Sequence, residues 1–105
     1  MGAGDTQVRR STIESIQRGV TDLFGLSTVE LKEKNRTQAV TVPRQLAIYL
    51  SKQMTDASLS EIGRHFGGLH HTSVMHSIAK IDKLRRIDPA MDLIVNKLLK
   101  RLKTG

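Results

Sequence analysis

SLSEIGRHFGGLHHTSVMHSIAKIDK, residues 58–83, decides the fold. Ser58 and Glu61 form a Ser-x-x-Glu capping box, in which each side chain serves the other residue's backbone N–H. Leu59, Ile62 and Phe66 recur at helical spacing. Gly67-Gly68 then stops the helix, because glycine enters left-handed backbone conformations without a steric penalty. A second helical pattern begins near His71, with Val74, Ile78, Ile81 and Leu84 as its apolar stripe. Helix, glycine turn and longer helix make the helix-turn-helix plan. Opposite the apolar stripe stand Thr72, His76 and Lys83, with Ser73 and Lys80 on one flank. That face carries no acidic residue until Asp82 near its edge. A helix that packs one side and offers donors on the other suits the major groove of DNA.

Outward from this stretch the chain reads as all-helical. Residues 1–10 show no apolar pattern and are expected to be a disordered linker or tag remnant; residues 11–105 form one domain. Ser11-x-x-Glu14 predicts the cap of a first helix with Ile13, Ile16, Val20 and Leu23 inward and Gly25 at its end. Ser27-x-x-Glu30 predicts a short helix carrying Val29 and Leu31. Lys32 to Gln38 is polar and aperiodic, so it reads as a loop, either solvated or a basic arm reaching a phosphate or the minor groove. Pro43 is expected to start the next helix, with Leu46, Ala47, Leu50 and Met54 buried and Arg44, Gln45 and Lys52 off that stripe. Asp88-Pro89 reads as cap and first residue of a last helix, with Met91, Ile94, Val95, Leu98 and Leu102 inward. No β-strand pattern or internal repeat is present.

Seventeen Lys/Arg against ten Asp/Glu give a net charge of +7. The surplus is uneven: net +2 over residues 1–57 and +5 over residues 58–105. Such an excess favours a polyanionic partner. The scarce aromatics, Phe24, Tyr49 and Phe66, argue against a single-strand binder that stacks bases. No cysteine is present, which excludes disulfides and thiolate zinc sites. No apolar run approaches the roughly 18 residues of a membrane span. The N-terminus lacks a signal-peptide core, so a cytoplasmic, nucleoid-associated location is expected.

No nucleotide-binding glycine loop or nucleophile–base spacing occurs, so no enzyme activity and no cofactor are expected. Four histidines cluster at His65, His70, His71 and His76. His71 and His76 are five residues apart and do not share a helical face well, and no cysteine completes a zinc set.

Gly67-Gly68-Leu69-His70-His71-Thr72-Ser73-Val74-Met75-His76 resembles the signature of the C-terminal DNA-binding domain of the bacterial replication initiator DnaA family. Pro43-Arg44-Gln45, Ser58-Leu59-x-Glu61-Ile62-Gly63 and Phe66 match in order and spacing, so the likeness spans about residues 11–103. It implies a compact, Trp-repressor-like bundle of about six helices containing the helix-turn-helix. It also implies sequence-specific binding of double-stranded DNA at DnaA boxes of the TTATCCACA type in a replication origin. By that resemblance Arg36 enters the minor groove, while His70, His71, Thr72 and Ser73 meet base edges. Arg44, Gln45, Lys52 and His76 meet phosphates, and Lys80 and Lys83 extend that basic face. ATP belongs only to a full-length initiator, whose nucleotide-binding module does not appear in this chain. A lone domain is expected to be monomeric and to mark sites without unwinding them.

Two positions depart from the family pattern. Leu69 stands where Arg or Lys is usual, which removes one cationic contact. His70 stands where Asp is common, exchanging an acceptor for a ring with one donor and one acceptor. The competing readings are a stand-alone transcriptional or transposon-associated binder, and an interaction domain for acidic phospholipids or other initiator domains. The first helix would serve the lipid reading, but it carries Glu14 and Asp22 beside Arg18.

Overall fold

The structure, a computed structural model, describes residues 11–34 and 37–104. Six helices occupy them: α1 (Ile13–Phe24), α2 (Thr28–Lys32), α3 (Gln38–Met54), α4 (Leu59–His65), α5 (His71–Ile87) and α6 (Pro89–Thr104). The all-α expectation and the helix-turn-helix, α4 and α5, are both present.

Capping chemistry sets most of the boundaries. Ser27 caps α2 and Ser58 caps α4, each in a reciprocal box with Glu30 or Glu61. Asp88 opens α6, its Oδ1 accepting from the Ala90 N–H at 3.0 Å. The first helix differs from the Ser11–Glu14 expectation. Its cap is Thr12, whose Oγ1 accepts from the Ser15 N–H at 3.1 Å while Ser15 Oγ accepts from the Thr12 N–H at 3.0 Å. Ser15 can therefore do the work expected of Glu14, and Glu14 is left to reach elsewhere.

Pro43 is also placed differently. It lies inside α3, which begins five residues earlier at Gln38. Proline lacks the N–H that would bond to the carbonyl of Ala39, but the turn before it is anchored by Thr41 N–H donating to Thr37 O at 2.8 Å. The polar loop is correspondingly shorter, since Lys32 ends α2 and Gln38 begins α3.

α3 is the central element. Leu46 through Ser51 are six consecutive buried residues. A helix buried on all sides has no simple apolar stripe, so the expected set Leu46, Ala47, Leu50 and Met54 missed Ile48 and Tyr49; Met54 itself is only half-buried. Ser51 Oγ donates to the Ala47 carbonyl at 2.7 Å, which satisfies the buried hydroxyl. α3 packs against α1, α2, α4 and α5, and α6 closes the bundle against α1 and α5. Ile16, Val20, Ile62, Val74, Ile81, Val95 and Leu98 complete the interior.

The glycine turn is fastened by backbone contacts. The Gly63 carbonyl accepts from the N–H groups of Phe66 (3.1 Å), Gly68 (3.0 Å) and Leu69 (2.9 Å). The Leu69 carbonyl lies against the Cα of Gly63, where a Cβ would collide with it. Gly67, at φ 83°, presents its Cα to the Lys32 carbonyl in the same way. Gly68, at φ 79°, faces open space. Alanine at residue 68 is therefore expected to carry only the left-handed backbone penalty of roughly 1–2 kcal/mol. Gly67→Ala adds a backbone collision and should destabilise by a further ~1–3 kcal/mol. Urea unfolding of the two variants checks this; equal losses would show that the α2 contact does not constrain the turn.

Candidate nucleic-acid interface

α5 begins at His70, whose side chain caps it. Nδ1 accepts from the Thr72 N–H at 3.3 Å and lies 2.8 Å from Thr72 Oγ1. The His71 ring stacks on that of His70, with centroids 4.3 Å apart and planes tilted by 35°. Past the cap, Val74, Ser77 and Ile81 are buried, with Ile78 and Leu84 half-buried. His71, Thr72, Ser73, His76, Lys80 and Lys83 are all exposed on the other side, together with Met75. The structure therefore brings His70 and these six together on one helix roughly 25 Å long. Asp82, at the edge of this face, is paired with Arg86 at 2.7 Å.

The three α3 residues are placed less uniformly. Lys52 is exposed. Arg44 is half-buried; its Nε donates to the Leu31 carbonyl at 3.0 Å and its Nη2 to the Glu33 carbonyl at 2.8 Å. It thus closes the C-terminal end of α2, where positive charge suits the helix dipole. Burial lowers the pKa of this guanidinium from its ordinary value. Gln45 is half-buried, and its Oε1 has no hydrogen-bond partner among the described residues. Arg36 lies outside the described residues. Beside the glycine turn, Lys32, Lys34 and Arg44, with Glu33 among them, line a cleft of about 290 Å³ together with Phe66, Gly67, Gly68 and Leu69. The basic end of α2 therefore faces the helix-turn-helix directly.

Several side chains that fix α4 and α5 in the bundle are not among the sequence-based expectations. Gln17, 1% exposed, donates from Nε2 to the His65 carbonyl at 2.8 Å, tying α1 to the end of α4. Its signal is a polar residue on the apolar stripe of α1. Arg85 likewise sits on the inner side of α5. It donates to Asp92 Oδ1 (2.9 Å), Tyr49 Oη (3.0 Å) and Asn96 Oδ1 (2.8 Å), joining α5 to α6 and α3. The hydrogen bond to Asp92, then that to Tyr49, raises its pKa further. Among the described residues no group of three or more His, Cys, Asp or Glu side chains is placed to hold a metal. No described helix is long and apolar enough to cross a membrane. The apolar residues Ile13, Ile16 and Val20 of α1 are buried in the core, which leaves them unavailable to a lipid surface.

His65 has a separate task from the other histidines. Its Nδ1 faces the Glu61 carbonyl at 2.9 Å and its Nε2 faces Glu14 Oε2 at 3.1 Å. Both partners are acceptors, so both bonds form together only on the doubly protonated ring. A backbone hydrogen bond first, then the His65 and Lys32 charges, hold the Glu14 carboxyl below the ordinary carboxylate range, against the effect of burial. A carboxyl depressed in the folded state adds stability above its unfolded pKa and loses it as pH falls through the folded value. The side chains are 34% and 58% exposed, so solvent screening holds the gain under ~1 kcal/mol. Glu14→Gln should therefore lower stability at neutral pH and converge with the parent protein in acid. Urea midpoints measured across the carboxylate range check this, and parallel curves would contradict it.

With this geometry established, similarity to known proteins has a structural frame. The family described as bacterial DnaA protein helix-turn-helix matches residues 13–81, from the first turn of α1 into the middle of α5. The chain is 39% identical over 100 residues to the chromosomal replication initiator protein DnaA of Treponema denticola, covering 95% of this chain and 21% of that protein. Against the protein of the same name from Zymomonas mobilis subsp. mobilis, identity is 44% over 96 residues, covering 91% of this chain and 20% of the other. For Lactobacillus helveticus the values are 53% over 76 residues, 72% and 17%. The chain thus spans about a fifth of the length of these relatives.

Proposed function

Because this chain belongs to the bacterial DnaA helix-turn-helix family, we propose that it binds double-stranded DNA at DnaA boxes, as the site-recognising module of a replication initiator. The observation that carries the reading is the exposed face of α5: His71, Thr72, Ser73, His76, Lys80 and Lys83, with His70 at its cap. Such a helix, held from behind by a packed core, fits the major groove. In this reading His70, His71, Thr72 and Ser73 approach base edges. The Thr72 methyl suits a thymine methyl, and the imidazoles and hydroxyls suit polar edges.

His76, Lys80, Lys83 and Lys52 approach phosphates, fixing register and orientation without reading sequence. Arg44 donates to the Leu31 and Glu33 carbonyls, so its part is to hold the basic end of α2 against the turn and to bring its positive charge toward the phosphate backbone. Gln45 supplies its amide at the same end of α3. Arg36, which lies outside the described residues, is assigned to the minor groove, where A·T-rich DNA attracts arginine. The reaction chemistry of a full-length initiator is not assigned to this chain.

A TTATCCACA duplex is expected to bind at least ~10³-fold more tightly than a scrambled duplex at physiological salt. Thr72→Ala should reduce that preference by roughly 1–3 kcal/mol. Lys52→Ala should weaken both duplexes alike and reduce the salt slope by about one. Fluorescence anisotropy across a salt series measures all three. Equal affinity for box and scrambled duplex would overturn the proposal.

A further inference from the structure

We propose that His70 and Thr72 present a fixed polarity to DNA, with His70 acting only as a donor and Thr72 only as an acceptor. This rests on the duplex-DNA reading above and deepens it, because it states which base edges the pair accepts.

The Thr72 backbone N–H points at His70 Nδ1 from 3.3 Å. A backbone N–H can only donate, so Nδ1 must present its lone pair. A neutral imidazole with a bare Nδ1 carries its proton on Nε2. The tautomer is thus fixed by the helix N-terminus. Thr72 Oγ1 lies 2.8 Å from the same bare nitrogen, so its single hydrogen is directed there, sharing the one lone pair with the longer backbone contact in a three-centre bond. What remains on the hydroxyl is lone pairs, beside the Thr72 methyl. The ring is also held in place, because His71 stacks on it at 4.3 Å. Both His70 and Thr72 are exposed.

A donor-only group at residue 70 selects acceptor edges. In the major groove these are purine N7, guanine O6 and thymine O4. Cytosine, which offers its N4 amino donor there, is the base this group disfavours. Thr72 oxygen suits the amino group of adenine or cytosine, and its methyl suits thymine. An Asp at residue 70 would cap α5 with one carboxylate oxygen and present the other as an acceptor, reversing the polarity at the same place.

Two measurements test this. Nitrogen-15 NMR of the free protein, at mildly basic pH where imidazole is neutral, reads the tautomer. His70 is expected to show a bare Nδ1 and a protonated Nε2; a protonated Nδ1 overturns the proposal. Selection from a randomised duplex pool then compares the parent protein with His70→Asp and His70→Ser. The parent should disfavour cytosine about tenfold at one box position, and His70→Asp should prefer cytosine there. His70→Ser keeps a short capping hydroxyl that does not extend to a base. It should level the choice at that position, loosen the one that Thr72 reads, and leave the remaining positions unchanged. Identical base preferences for the parent and His70→Asp overturn the polarity alone. No preference at any position in the parent removes the duplex-specific reading and this inference with it.

Discussion

One carbonyl fixes the angle at which α5 leaves the turn before it. The Gly63 oxygen receives three backbone N–H groups from the turn that follows, those of Phe66, Gly68 and Leu69. A carbonyl oxygen has two lone pairs, so three donors converge on it only when the chain folds tightly back over the end of α4. That return brings the Leu69 carbonyl onto the Cα of Gly63, a contact that a side chain at residue 63 would forbid. His70 follows immediately and caps α5. The direction of α5 is therefore set by main-chain geometry before any apolar packing is considered.

The surrounding elements fasten this turn from several sides. α2 meets it through the Lys32 carbonyl against Gly67, and Arg44 holds the end of α2 in turn. α1 meets it through Gln17 on the His65 carbonyl and through the Glu14–His65 pair. Arg85 ties the inner side of α5 to α3 and α6. Polar side chains that bond inward thus sit behind α5, while those on its outer face are exposed. This division of labour separates His65, which clamps helices, from His70, His71 and His76, which stand on the outward side.

Much of this arrangement is written locally in the sequence. The boxes at Ser27 and Ser58, the Asp88-Pro89 start and the glycine pair act over a few residues and could be read directly. The polar face of α5 could be read too, because a helix with one wet side has a clear period. Features that depend on distant partners could not. Glu14 and His65 are 51 residues apart, and nothing in either neighbourhood announces the other. Thr12 and Ser15 form the first cap through reciprocal bonds that the Ser-x-x-Glu pattern does not describe. Pro43 lies inside α3 because Thr37 anchors a turn ahead of it, and α3 exceeds its apolar stripe because Leu46 through Ser51 are all buried. Gln17 and Arg85 did leave a trace, as polar residues on apolar stripes. At the candidate interface, His70 is legible as a departure from the family pattern, but its capping bond exists only once the turn is folded.

The central claim is that the outward face of α5, held by the turn at Gly63, is the surface that meets duplex DNA. Backbone and side-chain NMR perturbation on titrating a box duplex tests it most directly. The largest changes are expected on residues 70–76, with Lys80, Lys83 and Lys52 following, while Leu93 and Lys97 on the exposed side of α6 remain unperturbed. Changes concentrated on α6, with residues 70–76 unaffected, would contradict it.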